Sequence, residues 1–84
     1  IMEVYCVKVE YEGARVSNNS TCHILWSSLE GAKESLKRER DYILQHNPWL
    51  NNENCIEKDE DEYFYVHDDD DYYTVTISKE TVHD

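Results

Sequence analysis

An acidic and aromatic segment, residues 57–71, sets the strongest limits on how this chain can fold. It contains nine carboxylates and one lysine, a net charge of −8 in fifteen residues. A bare run of like charge is usually disordered, because the charges repel one another. Here residues 63–66 and 72–77 interrupt the charge with aromatic and β-branched side chains, which favour strands. The segment therefore predicts a folded, acidic β-hairpin.

The charge of the whole chain is unevenly distributed. The 84 residues have a formal net charge of −11, of which residues 1–50 contribute −1 and residues 51–84 contribute −10. Seven Tyr, two Trp and one Phe supply large side chains for a core, so we expect one acidic domain over residues 1–84. Such an excess of negative charge attracts basic partners and repels nucleic acid and anionic lipid.

The first half of the chain predicts a hairpin followed by a helix. Alternating side chains indicate strands at 2–11 and 21–26, joined by a polar loop at 12–20. Leucine, alanine and isoleucine then recur at helical spacing over residues 28–46.

Short signals mark both ends of this helix. Ser27 and Glu30 fit a capping box, in which each side chain accepts a hydrogen bond from the backbone at the helix start. Proline disfavours a helical conformation in the residue before it, so Asn47-Pro48 is expected to end the helix.

The second half predicts strands at 61–67 and 72–79, with a turn of aspartates at 68–71. The expected architecture is β-β-α-β-β, a small antiparallel sheet of about four strands with one helix packed on a face, which is an α+β fold. The residues expected to meet the helix are Tyr73, Val75 and Ile77, with Phe64 and Val66 beside them. Alternation then directs Tyr63, Tyr65 and Tyr72 outward.

The chain offers little for catalysis or for a dedicated metal site. Cys22 and His23 are neighbours on a strand and point to opposite faces, so they do not form a dyad. The acidic blocks lack the glycine and glutamate positions of an EF-hand loop, and the cysteines lack the CxxC spacing of zinc sites. We expect no enzymatic activity, no cofactor and no metal, with a calcium-dependent binder as an open alternative.

Cysteine content and hydropathy bear on the compartment. Three widely spaced cysteines argue against a disulfide framework and favour reduced thiols in the cytoplasm. No run of about 18 apolar residues and no secretion signal is apparent. Ile1 precedes Met2, and we expect Met2 to be the natural start.

The acidic segment is suited to the basic groove of a protein that binds DNA or RNA, because carboxylates there replace phosphates. Alternate strand residues lie about 6.6 Å apart, so Asp59 with Asp61, and Glu60 with Glu62, are expected to form regular rows. Tyrosines beside them can stack on arginine. The predicted partner-binding residues are Glu57, Asp59, Glu60, Asp61, Glu62, Tyr63, Tyr65, Asp68, Asp69, Asp70, Asp71 and Tyr72.

Two stretches, Asp59-Glu60-Asp61-Glu62-Tyr63-Phe64 and Tyr72-Tyr73-Thr74-Val75-Thr76-Ile77, resemble the acidic segments of phage-encoded anti-CRISPR proteins that mimic DNA. Those are small acidic α+β proteins that occupy the basic DNA cleft of a Cas nuclease. The resemblance implies a non-catalytic inhibitor in the cytoplasm of a host cell. The partner it implies is a basic nucleic-acid-binding protein such as a Cas nuclease, with no direct contact to nucleic acid or membrane.

A second interpretation is a general protein–protein interaction module or a dimer, in which the acidity only confers solubility. Exposed aromatic residues, Trp49 and a strand edge would then carry the contact.

Overall fold

The sheet is built from strands whose two faces differ in polarity. The computed structural model describes residues 2–13 and 20–83, which form one antiparallel sheet with a helix on one face. The strands are β1 (Met2–Gly13), β2 (Ser20–Trp26), β3 (Ile56–Asp59), β4 (Tyr63–His67) and β5 (Asp71–Val82), and the helix α1 spans Leu29–His46. The strand order in the sheet is β2-β1-β5-β4-β3, so β2 and β3 are the edges.

The core lies between α1 and one face of the sheet. Val7, Phe64, Val66 and Val75 are fully buried there against apolar residues of α1. Burying each such side chain stabilises the fold by about 1.5–3 kcal/mol. The predictions that β5 meets the helix and that Phe64 and Val66 lie beside it are confirmed. The opposite side of the sheet, which α1 does not cover, is called the open face below.

The ends of α1 follow from local hydrogen bonds. The N-cap is Ser28, whose Oγ accepts a hydrogen bond from the amide of Gly31 at 3.1 Å, so the predicted cap at Ser27 is wrong by one residue. At the other end, the amide and side-chain nitrogens of Asn47 both donate to the carbonyl of Ile43. The helix stops at the predicted position, and Leu50 in the following turn is fully buried.

The described residues contain five strands, so the prediction of about four strands in a β-β-α-β-β order misses one. The additional strand is β3, which pairs with β4 and forms an edge. The strand predicted to begin at Asp61 begins at Tyr63, because residues 60–62 form the turn between β3 and β4. The regular rows of Asp59 with Asp61, and of Glu60 with Glu62, are therefore not formed.

Other boundaries differ by small amounts. β1 continues to Gly13 and β2 begins at Ser20, so part of the predicted loop at 12–20 is strand; residues 14–19 lie outside the described part of the chain. β5 begins at Asp71 and continues to Val82, beyond the predicted 72–79. The extra residues of β5 pair with the two ends of β1: 80–82 pair with 2–4, and Asp71 pairs with Gly13.

Candidate functional site

The first acidic turn, residues 60–62, joins β3 to β4. The amide of Glu60 donates to the carbonyl of Tyr63 at 2.8 Å, and the amide of Tyr63 donates back at 3.4 Å. The amide of Ile77 in β5 donates to the carbonyl of Glu62 at 3.2 Å. Because all three side chains of the turn are exposed, a hydrogen-bonded backbone presents three carboxylates to solvent.

Asp59, which precedes this turn, is paired with the helix. Arg40 Nε donates to Oδ1 at 2.7 Å and Arg40 Nη2 donates to Oδ2 at 2.8 Å. These bonds hold the pKa of Asp59 below its usual value and the pKa of Arg40 above its own. The side chains are 41% and 27% exposed, so solvent reduces the pair to about 1 kcal/mol. Asp59 therefore ties β3 to α1, and its charge is balanced within the chain.

A groove of about 540 Å³ separates α1 from the first acidic turn. Its helix side carries three basic and two acidic side chains, and its other side carries Asp59 of β3 and two residues of the turn. The charged residues of the lining are Glu30, Lys33, Glu34, Lys37, Arg40, Asp59, Glu60 and Asp61. Opposite charges partly cancel across this groove. The small positive excess on the helix side therefore offsets part of the negative charge of the first acidic turn, and the rest is presented to solvent.

The second acidic turn, residues 68–71, is shaped by the side chain of Asp68. Its Oδ1 accepts hydrogen bonds from the amides of Asp70 at 2.8 Å and Asp71 at 2.7 Å. Its Oδ2 accepts one from Trp49 Nε1 at 3.1 Å. Hydrogen bonds from these amides, with a smaller contribution from the indole, lower the pKa of Asp68. Asp68 therefore holds the turn, and the exposed Trp49 is fixed beside it.

Asp71 is the second structural aspartate of this turn. The hydroxyl of Tyr11 in β1 donates to Asp71 Oδ1 at 2.6 Å, which is the main reason that the pKa of Tyr11 rises to about 12. Asp70 is half-buried, and Asp69 is exposed at the tip. Asp68 and Asp71 thus maintain the turn, and Asp69 presents its carboxylate to solvent at the tip.

The predicted tyrosines all lie on the open face. His67 lies between Tyr65 and Tyr72, with its ring centroid 5.2 Å from each of theirs. Glu57 Oε1 lies 3.1 Å from His67 Nε2, and Tyr63 is on the same face of β4, 42% exposed. Glu57 and the three tyrosines therefore form one continuous surface.

The two acidic turns are not brought together. They lie at opposite ends of β4, and Glu62 and Asp68 are six positions apart, which corresponds to roughly 20 Å along a strand. The predicted hairpin is formed by β4 and β5 around the second acidic turn, and pairing of β3 with β4 extends it to a three-stranded meander. Its two turns are acidic and its middle strand is aromatic.

Glu10 and Glu12 of β1 belong to this surface and were missed by the sequence prediction. The register places Glu10 opposite Thr74 and Glu12 opposite Tyr72, on the open face. Alternation around Tyr11 puts both glutamates on one face of β1. Only the pairing of β1 with β5 shows that this face adjoins the tyrosines.

The chain matches no family model, no curated protein and no solved structure. Across residues 2–13 and 20–83, no group of three or more His, Cys, Asp or Glu side chains is arranged to hold a metal ion. No helix in this described part is long and apolar enough to cross a membrane. Function is therefore inferred from the geometry and charge of the chain itself.

Proposed function

We propose that this chain is a non-catalytic acidic inhibitor that mimics nucleic acid. It blocks the basic DNA- or RNA-binding channel of a defence nuclease such as a CRISPR–Cas effector, as the resemblance to anti-CRISPR proteins implies. The observation that carries the proposal is the display of carboxylates from hydrogen-bonded turns at both ends of β4. Because these turns are ordered before binding, docking does not require the acidic segment to lose its chain entropy.

The density of charge supports mimicry. Duplex DNA carries about one negative charge per 1.7 Å of axis, or roughly 12 charges over 20 Å. The two acidic turns and the open face between them carry seven carboxylates beside those that bind Arg40, Trp49 and Tyr11 and beside the half-buried Asp70. These are Glu10, Glu12, Glu57, Glu60, Asp61, Glu62 and Asp69. Three of them also contact a basic or imidazole side chain: Glu10 contacts Lys8, Glu57 contacts His67 and Glu60 contacts Lys58. The surface thus carries a little more than half as many negative groups as a duplex of similar length.

The direction of the charge selects the face that enters the channel. On the helix side, three basic and two acidic residues of α1 line the groove and leave a small positive excess opposite the first acidic turn. The open face instead offers tyrosines between the two turns, and tyrosine rings stack favourably on arginine side chains. The open face with the two acidic turns is therefore the side that meets the partner, and α1 faces away.

A competition experiment tests this proposal. Labelled target duplex is bound to a purified Cas effector, and its release by this chain is followed by fluorescence anisotropy. Neutralising the exposed turn residues should raise the concentration for half-maximal release by at least about tenfold, because each exposed ion pair contributes about 0.2–1 kcal/mol. The combined variant is Glu60→Gln, Asp61→Asn, Glu62→Gln and Asp69→Asn.

A matched control removes the same number of charges from the helix side and its following loop. It combines Glu30→Gln, Glu34→Gln, Glu39→Gln and Glu53→Gln, and it should release the duplex as the unmodified chain does. Raising salt from about 50 to about 200 mM should weaken the unmodified inhibitor steeply. Equal activity of the two variants, together with no effect of salt, would refute mimicry for that effector.

One observation favours a second candidate function, self-association through β2. This edge strand has seven residues and contains no Asp, Glu, Lys, Arg or Pro, and its Leu25 is 66% exposed. The other edge, β3, is short, has three charged residues out of four and shifts register after Ile56. Short length, charge and bulges protect an edge from pairing with another chain, and β2 has none of these protections.

Sedimentation equilibrium separates this candidate from mimicry. If β2 pairs with β2 of a second copy, the chain dimerises with increasing concentration, and Leu25→Lys shifts it to the monomer. The matched control is Tyr42→Lys, which places the same charge at a similarly exposed residue of α1. A monomer at all concentrations would exclude self-association.

A further inference from the structure

The open face contains a pocket of about 260 Å³ between the tyrosines and β1. Its lining is aromatic on one side and acidic on the other: Glu10, Glu12, Tyr63, Tyr65, Tyr72 and Thr74. The pocket lies between the two acidic turns and shares no residue with either.

The strand register explains why a depression forms here. Thr74 of β5 is paired with Tyr65 of β4 on one side and with Glu10 of β1 on the other. Tyr72, two residues earlier on β5, is paired with Glu12. Since neighbouring strands lie about 4.8 Å apart, the small threonine forms a floor between longer side chains. The pocket is therefore a product of regular pairing and does not depend on a loop.

The lining selects a cation. Two carboxylates repel anions, and the tyrosine rings present negative faces that attract a positive group. The side chains of Tyr65, Tyr72 and Thr74 are half-buried, which reduces solvent screening of that attraction. Lys8 lies 3.4 Å from Glu10 on the outer side, so an entering cation shares Glu10 with a lysine. None of the described residues forms an ion pair or hydrogen bond with Glu12, which supplies the main carboxylate for the cation.

Among biological cations, a guanidinium suits this shape best. It is planar, so it can lie against a tyrosine ring while its edge donates hydrogen bonds to a carboxylate. It is also more weakly hydrated than the ammonium of lysine, which lowers the cost of entering a half-buried site. We propose that this pocket is a receptor for an arginine side chain of the partner protein. The identity of the protein that supplies this arginine rests on the proposed function. The preference for a guanidinium rests on the lining of the pocket alone.

Binding of a model arginine tests the pocket without any nuclease. The probe is Nα-acetyl-arginine methylamide, with Nα-acetyl-lysine methylamide compared at the same ionic strength. Amide chemical shifts of the isotope-labelled chain are followed during each titration. The arginine probe should produce saturable shifts at Tyr65, Tyr72 and Thr74, with an affinity at least about threefold higher than that of the lysine probe.

Two variants distinguish the pocket from general attraction to an acidic protein. Glu12→Gln should weaken the arginine probe at least about threefold, whereas Glu80→Gln, on the same face outside the pocket, should leave its affinity unchanged. Thermal unfolding of both variants verifies that they are folded. Absence of saturable shifts at the three residues, equal affinities for the two probes, or equal effects of the two variants would overturn the inference.

The outcomes also separate this inference from the proposed function. If the arginine probe binds but no duplex is released from the effector, the arginine-binding pocket is supported and nucleic-acid mimicry is refuted. If duplex is released but the arginine probe does not bind, nucleic-acid mimicry is supported and the arginine-binding pocket is refuted.

Discussion

Replacing Asp68 with alanine tests how the second acidic turn is held. The change removes three hydrogen bonds, two from backbone amides to Oδ1 and one from Trp49 Nε1 to Oδ2. Bonds to a charged group contribute about 1.5–3 kcal/mol when desolvated, and this half-exposed turn is screened, so we take about 0.7 kcal/mol for each. The expected loss is about 2 kcal/mol, equivalent to a fall of roughly 10 °C in Tm for a domain of this size.

Urea unfolding at neutral pH measures this loss, with Tm from calorimetry as a second readout. The matched control is Asp69→Ala in the same turn, whose exposed side chain should contribute little to stability. The free energy of unfolding should therefore fall for Asp68→Ala and stay within about 0.5 kcal/mol of the unmodified value for Asp69→Ala. Equal stabilities of the two variants would refute the assigned role of Asp68.

The contribution of Asp68 should also depend on pH, with a sign that follows from its pKa. The folded chain lowers this pKa below the ordinary value of 3.8, so the folded state favours the ionised form. The associated stability is fully present above about pH 4 and is lost as the pH falls through the folded pKa. The difference between the unmodified chain and Asp68→Ala should therefore shrink on acidification, and a difference that grows would contradict this linkage.

Three further predictions concern other contacts. Gly31→Ala should lower the free energy of unfolding by about 1 kcal/mol despite the better helix propensity of alanine, because the alanine Cβ would lie 2.8 Å from Trp26 Cε3. In a Trp26→Leu background this clash is removed, and urea unfolding should show that Gly31→Ala is stabilising. Asp59→Asn should cost about 1 kcal/mol in the same assay by weakening the bidentate contact with Arg40, and no loss would show that the pair is dispensable. In an absorbance titration, Tyr11→Phe should remove a phenol that ionises near pH 12. The stability that the hydrogen bond from Tyr11 to Asp71 contributes should persist up to about pH 10 and be lost as the pH rises toward 12. If the phenol of Tyr11 ionised near pH 10, the proposed effect of Asp71 on its pKa would be contradicted.

Local pattern predicted most of the fold because the helix and long strands carry their own periodicity. α1 shows its buried stripe at helical spacing, and Asn47-Pro48 marks its end. β3 has no such signal, since Ile56 is its one apolar residue and the other three are charged. It is a strand because it pairs with β4, and tertiary pairing of this kind overrides composition.

The candidate site was predictable only where alternation determines it. Alternation correctly placed Tyr63, Tyr65 and Tyr72 on the face away from the helix, and Tyr73 on the face toward it. It did not show which carboxylates are engaged, because their partners are distant in sequence: Arg40 is 19 residues from Asp59, and Tyr11 is 60 residues from Asp71. Runs of identical charge therefore separate into structural and displayed residues only when the contacts are known.

Amide hydrogen exchange across residues 60–71 tests most directly whether the acidic segment is an ordered surface. The amides of Glu60, Tyr63 and Asp68 donate backbone hydrogen bonds at the two turns, and that of Ile77 donates to the first turn from β5. These four amides should exchange at least about tenfold more slowly than in an unstructured peptide of the same sequence. Exchange at the unstructured rate throughout both turns would contradict the account, because a chain without ordered turns offers no shaped charge to a partner.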